Sequence, residues 1–199
     1  MTYDLFLALL VFASIAAFTP GPNNTLLMAS GINFGFRKTL PLVLGVAFGF
    51  PLMIACIGFA LGRFFELSSV LYKVMQYVGG AYMLWLAWKI GSSKPAVDRD
   101  VAVGNPMTFL QACAFQWINP KGWVMAVTAL STYTLATHYN FGVVVIVLTA
   151  FVMGIGSATT WALFGVGFKH VLNDERYYRY INWGLALALV ASLAPMLWH

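Results

Sequence analysis

Phe18-Thr19-Pro20-Gly21-Pro22-Asn23-Asn24-Thr25 interrupts an apolar stretch that runs from Leu5 to about Ile32. A second interruption, Asn119-Pro120-Lys121, lies inside the stretch from Met107 to about Leu135. At ~1.5 Å per residue each lies ~18 to 21 Å along its segment, near mid-depth in a ~30 Å hydrocarbon core. Polar, proline-rich sequence at that depth is costly. It is tolerated where irregular backbone is buried in protein or lines a cavity, as in the discontinuous helices that form a transporter's substrate site.

The rest of the chain fits a membrane setting. Hydrophobic residues make up 61% of its 199 residues and charged residues only 9%, with a mean hydropathy of +0.81. That leaves too little polar surface for a soluble globule of this size. Apolar runs of spanning length occur at about 5–32, 39–62, 69–90, 107–135, 139–167 and 178–198. Six helices account for nearly the whole chain, so the expected fold is an all-α integral membrane protein with no separate soluble catalytic or DNA-binding domain. A β-barrel would show short alternating segments instead. Ser14-Ile15-Ala16 imitates a signal-peptide cleavage site, but no Lys or Arg precedes it and hydrophobicity continues past the prolines, so the segment is read as the first helix.

Basic residues give an orientation. Arg37, Lys38, Lys89, Lys94, Arg99, Lys169, Arg176 and Arg179 fall in or beside the first, third and fifth loops, against Arg63 and Lys73 on the opposite side. By the positive-inside rule the crowded side is cytoplasmic and both termini are periplasmic. The net charge of +5 therefore concerns topology and implies no nucleic-acid partner; the partner it implies is the lipid bilayer. Tyr177, Tyr178, Tyr180 and Trp183 read as an interfacial aromatic belt. Cys56 and Cys113 have no metal-ligand spacing and read as inert buried thiols.

Pro20 and Pro120 hold matching places in the opening helices of two three-helix halves. Three spans is an odd number, so the second half enters from the other face, which gives a 3+3 inverted repeat with discontinuous helices 1 and 4. The repeats are residues 1–90 and 106–199 of a single transporter domain, joined by a cytoplasmic linker, 91–105, that carries Asp98, Arg99 and Asp100. Weaker echoes pair Gly45 and Gly49 with Gly154 and Gly156, and Gly79 and Gly80 with Gly184. Gly45/Gly49 and Gly58/Gly62 are small-xxx-small pairs, suited to close helix packing within the monomer or to a homodimer contact.

The candidate substrate site comprises Thr19, Pro20, Gly21, Pro22, Asn23 and Asn24 in the first break and Gln116, Asn119, Pro120 and Lys121 in the second. Pro20 and Pro22 remove backbone donors, so the first helix should unwind and restart near Asn23 to Thr25, exposing N–H groups at a positive helix end that suits a carboxylate. Gln116, Asn119 and Trp123 share a face at i, i+3 and i+7, with Lys121 just past the break. Together the breaks offer partners to an amino group and a carboxylate, which suggests a small zwitterion. The acids Asp4, Glu66, Asp98, Asp100, Asp174 and Glu175, like His138, His170 and His199, fall at helix ends or in loops. A cationic substrate is disfavoured, and no mid-membrane carboxylate is available as a proton relay.

At these residues the chain resembles the LysE/RhtB superfamily of bacterial amino-acid exporters. The matching pieces are TPGPNN (Thr19–Asn24), GFR (Gly35–Arg37), LGVAFGF (Leu44–Phe50), AYMLWLAWKI (Ala81–Ile90) and FQWINPK (Phe115–Lys121). AWKI (Ala87–Ile90) and TALSTY (Thr128–Tyr133) look most like the cysteine and O-acetylserine exporters. The resemblance implies a six-helix bacterial inner-membrane exporter of small neutral amino acids, driven by the proton gradient and needing no cofactor. Basic-amino-acid exporters of the family carry an Asp in the second helix where this chain has Gly49; that argues against lysine or arginine and leaves the coupling group unassigned. Two other classes stay open: a passive channel, and a membrane-embedded enzyme built on Lys121 with Ser30 or Ser157.

Overall fold

The structure is a computed structural model that describes residues 2–61, 77, 81, 84–85, 87–92, 105–171 and 175–191. The first break is present. Helix α1 (Tyr3–Phe18) ends at Thr19, and α2 (Pro22–Phe34) restarts after Gly21, the two axes meeting at 48°. The restart comes at Pro22, one residue before the expected Asn23, because proline's missing N–H and fixed φ suit the first helical position. Gly35, at φ 77°, is at once the end of α2 and the cap of α3 (Phe36–Cys56), a backbone conformation that glycine adopts without strain. A π-turn, Ile57–Leu61, extends α3.

The second break is also present. Thr108 and Gln111 close a capping box at the start of α4 (Phe109–Ile118), and α5 (Pro120–Tyr133) restarts after Asn119, again with proline at its first position. By helix position Pro120 therefore corresponds to Pro22, not to Pro20. A 3-10 turn, Ala136–His138, leads into α6 (Tyr139–Val171), and α7 (Glu175–Ala191) follows.

Two stretches, Phe36–Phe59 and Tyr139–Phe168, are each long and apolar enough to cross a bilayer, and the bent pair α1–α2 makes a third. Among the described residues there is no strand. Of the expected third span, 69–90, only 77, 81, 84–85 and 87–90 are described; Gly62, Gly79, Gly80, Arg63, Lys73, Lys94, the charged linker residues 98–100, Asp174 and His199 lie outside the described residues, as do the side chains of Lys169, His170, Arg176, Tyr177 and Tyr178. Tyr180 is exposed, and Trp183 packs edge-on against Trp88 with ring centroids 6.2 Å apart.

The apolar core falls into two parts separated by the level of the breaks. On the side of the α2–α3 turn, Leu27, Leu42, Val43, Ala112, Phe115, Ala158 and Ala162 pack together with Ala87, Ile90 and Ala186. Toward the N-terminus of α1, Leu9, Met53, Ile54, Trp123, Leu130, Val143 and Ile146 form the other part. Between them lies a layer of side-chain amides and one ammonium. Glycine sets the closeness of the first part: a Cβ on Gly31 would overlap Ala162 O, and one on Gly165 would overlap Met28 O. Gly45 faces Phe109 O and Ala112 in the same way, and Gly49 faces Cys113 and Gln116. The small-xxx-small pair of α3 is thus used inside the monomer, against α4.

Candidate functional site: the meeting of two helix breaks

A helix that stops in the apolar interior leaves its last carbonyls without intrahelical donors. At the end of α1 those carbonyls are met by side chains from three other elements. Asn24 Nδ2 of α2 donates to Ala17 O and Thr19 O, each at 2.8 Å. Ser157 Oγ of α6 donates to Ala17 O at 2.6 Å. Lys121 Nζ, from the first turn of α5, donates to Thr19 O at 2.9 Å, Thr19 Oγ1 at 3.0 Å and Pro20 O at 3.3 Å. An ammonium at the negative end of a half-helix is electrostatically favourable, more so where water is scarce.

A second bridge joins the breaks. Asn23 Nδ2 donates to Gln116 Oε1 at 2.8 Å, and Gln116 Nε2 donates back to Asn23 Oδ1 at 3.2 Å and to Ala112 O at 2.9 Å. Both amides are satisfied by this exchange, as buried polar groups require. Asn119 is different: it is 2% exposed, and its Oδ1 is buried with no hydrogen-bond partner.

A cavity of about 80 Å³ lies at the junction. Gly21, Asn23, Asn24, Asn119, Lys121 and Ser157 give it a polar floor, while Leu9, Phe12, Phe50, Ile54, Met125 and Met153 contribute apolar walls. The N–H groups of Asn23 and Asn24, in the first turn of α2, have no acceptor within their own helix and stand at its positive end.

The sequence-derived residues therefore divide into groups. Gly21, Asn23, Asn24, Asn119 and Lys121 line the cavity. Thr19 and Pro20 hold Lys121, Gln116 holds Asn23, and Pro22 and Pro120 start the two restarted helices. The face expected to carry Gln116, Asn119 and Trp123 is not formed, because the chain is extended at Asn119 (φ −83°, ψ 107°) and Trp123 Nε1 turns to Trp117 O at 2.8 Å. Ser157 was missed as a member of the polar layer. Ser30 bonds Thr39, Ser157 bonds Ala17 O, and Lys121 bonds Thr19 and Pro20.

A cavity floored by two helix breaks and walled by apolar side chains is an arrangement that suits a membrane translocator. The chain belongs to the LysE type translocator family, which matches residues 14–195. It is similar to the cysteine/O-acetylserine efflux protein of Klebsiella pneumoniae subsp. pneumoniae, 36% identical over 194 residues that cover 96% of this chain and 95% of the relative. The proteins of the same description from Salmonella typhimurium and Escherichia coli strain K12 are 36% and 35% identical over 196 residues, covering 96% of this chain and 96% of each relative. No solved structure matches the chain at a significant level.

Proposed function

We propose that the protein exports small neutral amino acids of the cysteine and O-acetylserine type from the cytoplasm across the bacterial inner membrane. Transport proceeds by alternating access and is driven by the proton gradient. The reading includes six spans arranged as a 3+3 inverted repeat, with both termini periplasmic. One observation carries it: the two breaks, distant in sequence, meet through Lys121 with Thr19 and Pro20 and through Asn23 with Gln116.

The polar groups suit a zwitterion. The N–H groups opening α2 take the carboxylate, and the ammonium finds its acceptors among the oxygens of the first break. No carboxylate is among the cavity's lining residues, which favours a neutral over a cationic solute. The curated relatives are described as efflux proteins for cysteine and O-acetylserine. A homodimer is compatible with this reading.

Overproducing cells should excrete more cysteine, O-acetylserine, homoserine or a similar solute, with saturating flux. Asn24→Leu and Asn119→Leu should each abolish transport while leaving membrane insertion intact. An unchanged excretion profile across a broad amino-acid panel contradicts the function, and full activity in both variants moves the site elsewhere. Flux that stays linear to high internal solute supports a channel instead.

A further inference from the structure

Proton coupling needs a group that gains and loses a proton within reach of the solute. The described residues lining the cavity come from α1, the two breaks, α2, α3, α5 and α6, and among these Lys121 is the only one that titrates. Thr19 and Pro20 of the first break bond its ammonium, and the residues of α2 and α6 that line the cavity with it, Asn23, Asn24, Met153, Gly154 and Ser157, are uncharged. Its three oxygen partners, two carbonyls and a hydroxyl, form a cage for a primary ammonium. An amino-acid solute carries the same group.

Resting on the export reading, we propose that Lys121 is the proton-coupling residue and that its ammonium and the solute's ammonium compete for the oxygens of Thr19 and Pro20. Before solute binds, the protonated Lys121 fills the cage through its contacts with Thr19 O, Thr19 Oγ1 and Pro20 O. On the cytoplasmic side an arriving solute places its own ammonium there, and Lys121 releases its proton to cytoplasmic water. On the outer side the solute leaves, and the Lys121 amine takes a proton from external water and returns to the cage. One proton enters for each solute that leaves. The solute is a zwitterion, so one positive charge moves inward per cycle. Gly21 makes room for this arrangement, since a Cβ there would stand 2.7 Å from Lys121 Cδ and 3.0 Å from Nζ.

The test uses purified full-length protein in proteoliposomes with radiolabelled cysteine and O-acetylserine. Two quantities are read: counterflow exchange without an ion gradient, and accumulation under an imposed pH gradient with the potential clamped. Wild type should show both, with accumulation approaching about tenfold per pH unit for one-for-one exchange. Lys121→Met and Lys121→Gln empty the cage of its internal competitor, so exchange should persist while the pH gradient no longer drives accumulation. Gly21→Ala displaces the lysine stem and should reduce pH-driven accumulation by a larger factor than exchange, which gives a reading even if both lysine variants fail to fold. Retained pH-driven accumulation in Lys121→Met or Lys121→Gln overturns the proposal. Loss of exchange in a monodisperse lysine variant also overturns it, making Lys121 a solute ligand only. Wild-type protein that exchanges no amino acid defeats the export reading and this proposal together, whereas a coupled lysine variant defeats this proposal alone.

Discussion

Gln116 is fully buried, and its amide exchanges two hydrogen bonds with Asn23 from the other half of the chain. Deleting one partner leaves the other unpaired in an apolar interior, at a cost of about 1–3 kcal/mol, with membrane measurements nearer the lower end. Asn23→Ala, Gln116→Ala and the double variant should therefore show a coupling energy of ~0.5–2 kcal/mol in thermal unfolding in detergent. Strict additivity would mean that the pair does not join the breaks. At this scale the site was legible wherever a polar residue stood at apolar depth beside proline, as with Asn24, Asn119 and Lys121. Ser157 was not legible. A serine or threonine in a membrane helix commonly bonds its own preceding turn, as Thr160 does with Gly156 O at 2.8 Å, and sequence does not reveal that Ser157 reaches Ala17 O instead.

Helix packing depends on glycines whose neighbours are far away in sequence. A Cβ on Gly45 would meet Phe109 O at 2.6 Å, and one on Gly49 would meet Cys113 Cα at 2.7 Å, so α3 and α4 touch nearly backbone to backbone. Gly45→Ala should destabilise the protein by about 1–3 kcal/mol through overpacking. Gly156→Ala, with nothing within 4 Å of the added carbon, should stay within about 0.5 kcal/mol of wild type. Thermal unfolding of the two variants side by side checks the contrast, and equal losses would count against the seam. The small-xxx-small spacing made the α3 glycines readable as packing residues. The proposed echo in α6 does not reproduce that packing: Gly154 meets only Ala47 Cα, at 3.7 Å, and Gly156 meets nothing. The seam between Gly31 and Gly165 had no comparable pattern to give it away, since each glycine is matched to a partner on another helix. Gly49 also gains a second meaning, because with α4 this close there is no room for the Asp that basic-amino-acid exporters of the resembling family carry.

Among the described residues, different kinds of contact lie on the two sides of the cavity. Toward the α2–α3 turn, α2 lies against α6 and α3 against α4 along glycine seams, and beyond them a second cavity of about 450 Å³ is lined by Leu26, Ser30, Asn33, Lys89 and Gln111. Toward the N-terminus of α1 the contacts are between side chains, with Leu9 beside an aromatic contact between Phe12 and Tyr133 at 5.5 Å. Opening the first end means parting backbones in contact; opening the second means moving a few side chains on α1 and α5. Phe12 also lines the cavity, so its removal connects the interior to the bulk on that side alone. In a background with Cys56 and Cys113 replaced by serine, a thiol introduced by Ala13→Cys stands on the cavity wall. Its labelling by a membrane-impermeant reagent, applied from the face that carries the N-terminus, should rise roughly two- to tenfold when Phe12→Ala is added. That range corresponds to the ~0.5–1.5 kcal/mol an aromatic pair contributes beyond its area. Labelling from the opposite face should not change, because the glycine seams are untouched by the substitution. Equal increases from both faces would show that Phe12 supports the bundle as a whole and does not close one end of it.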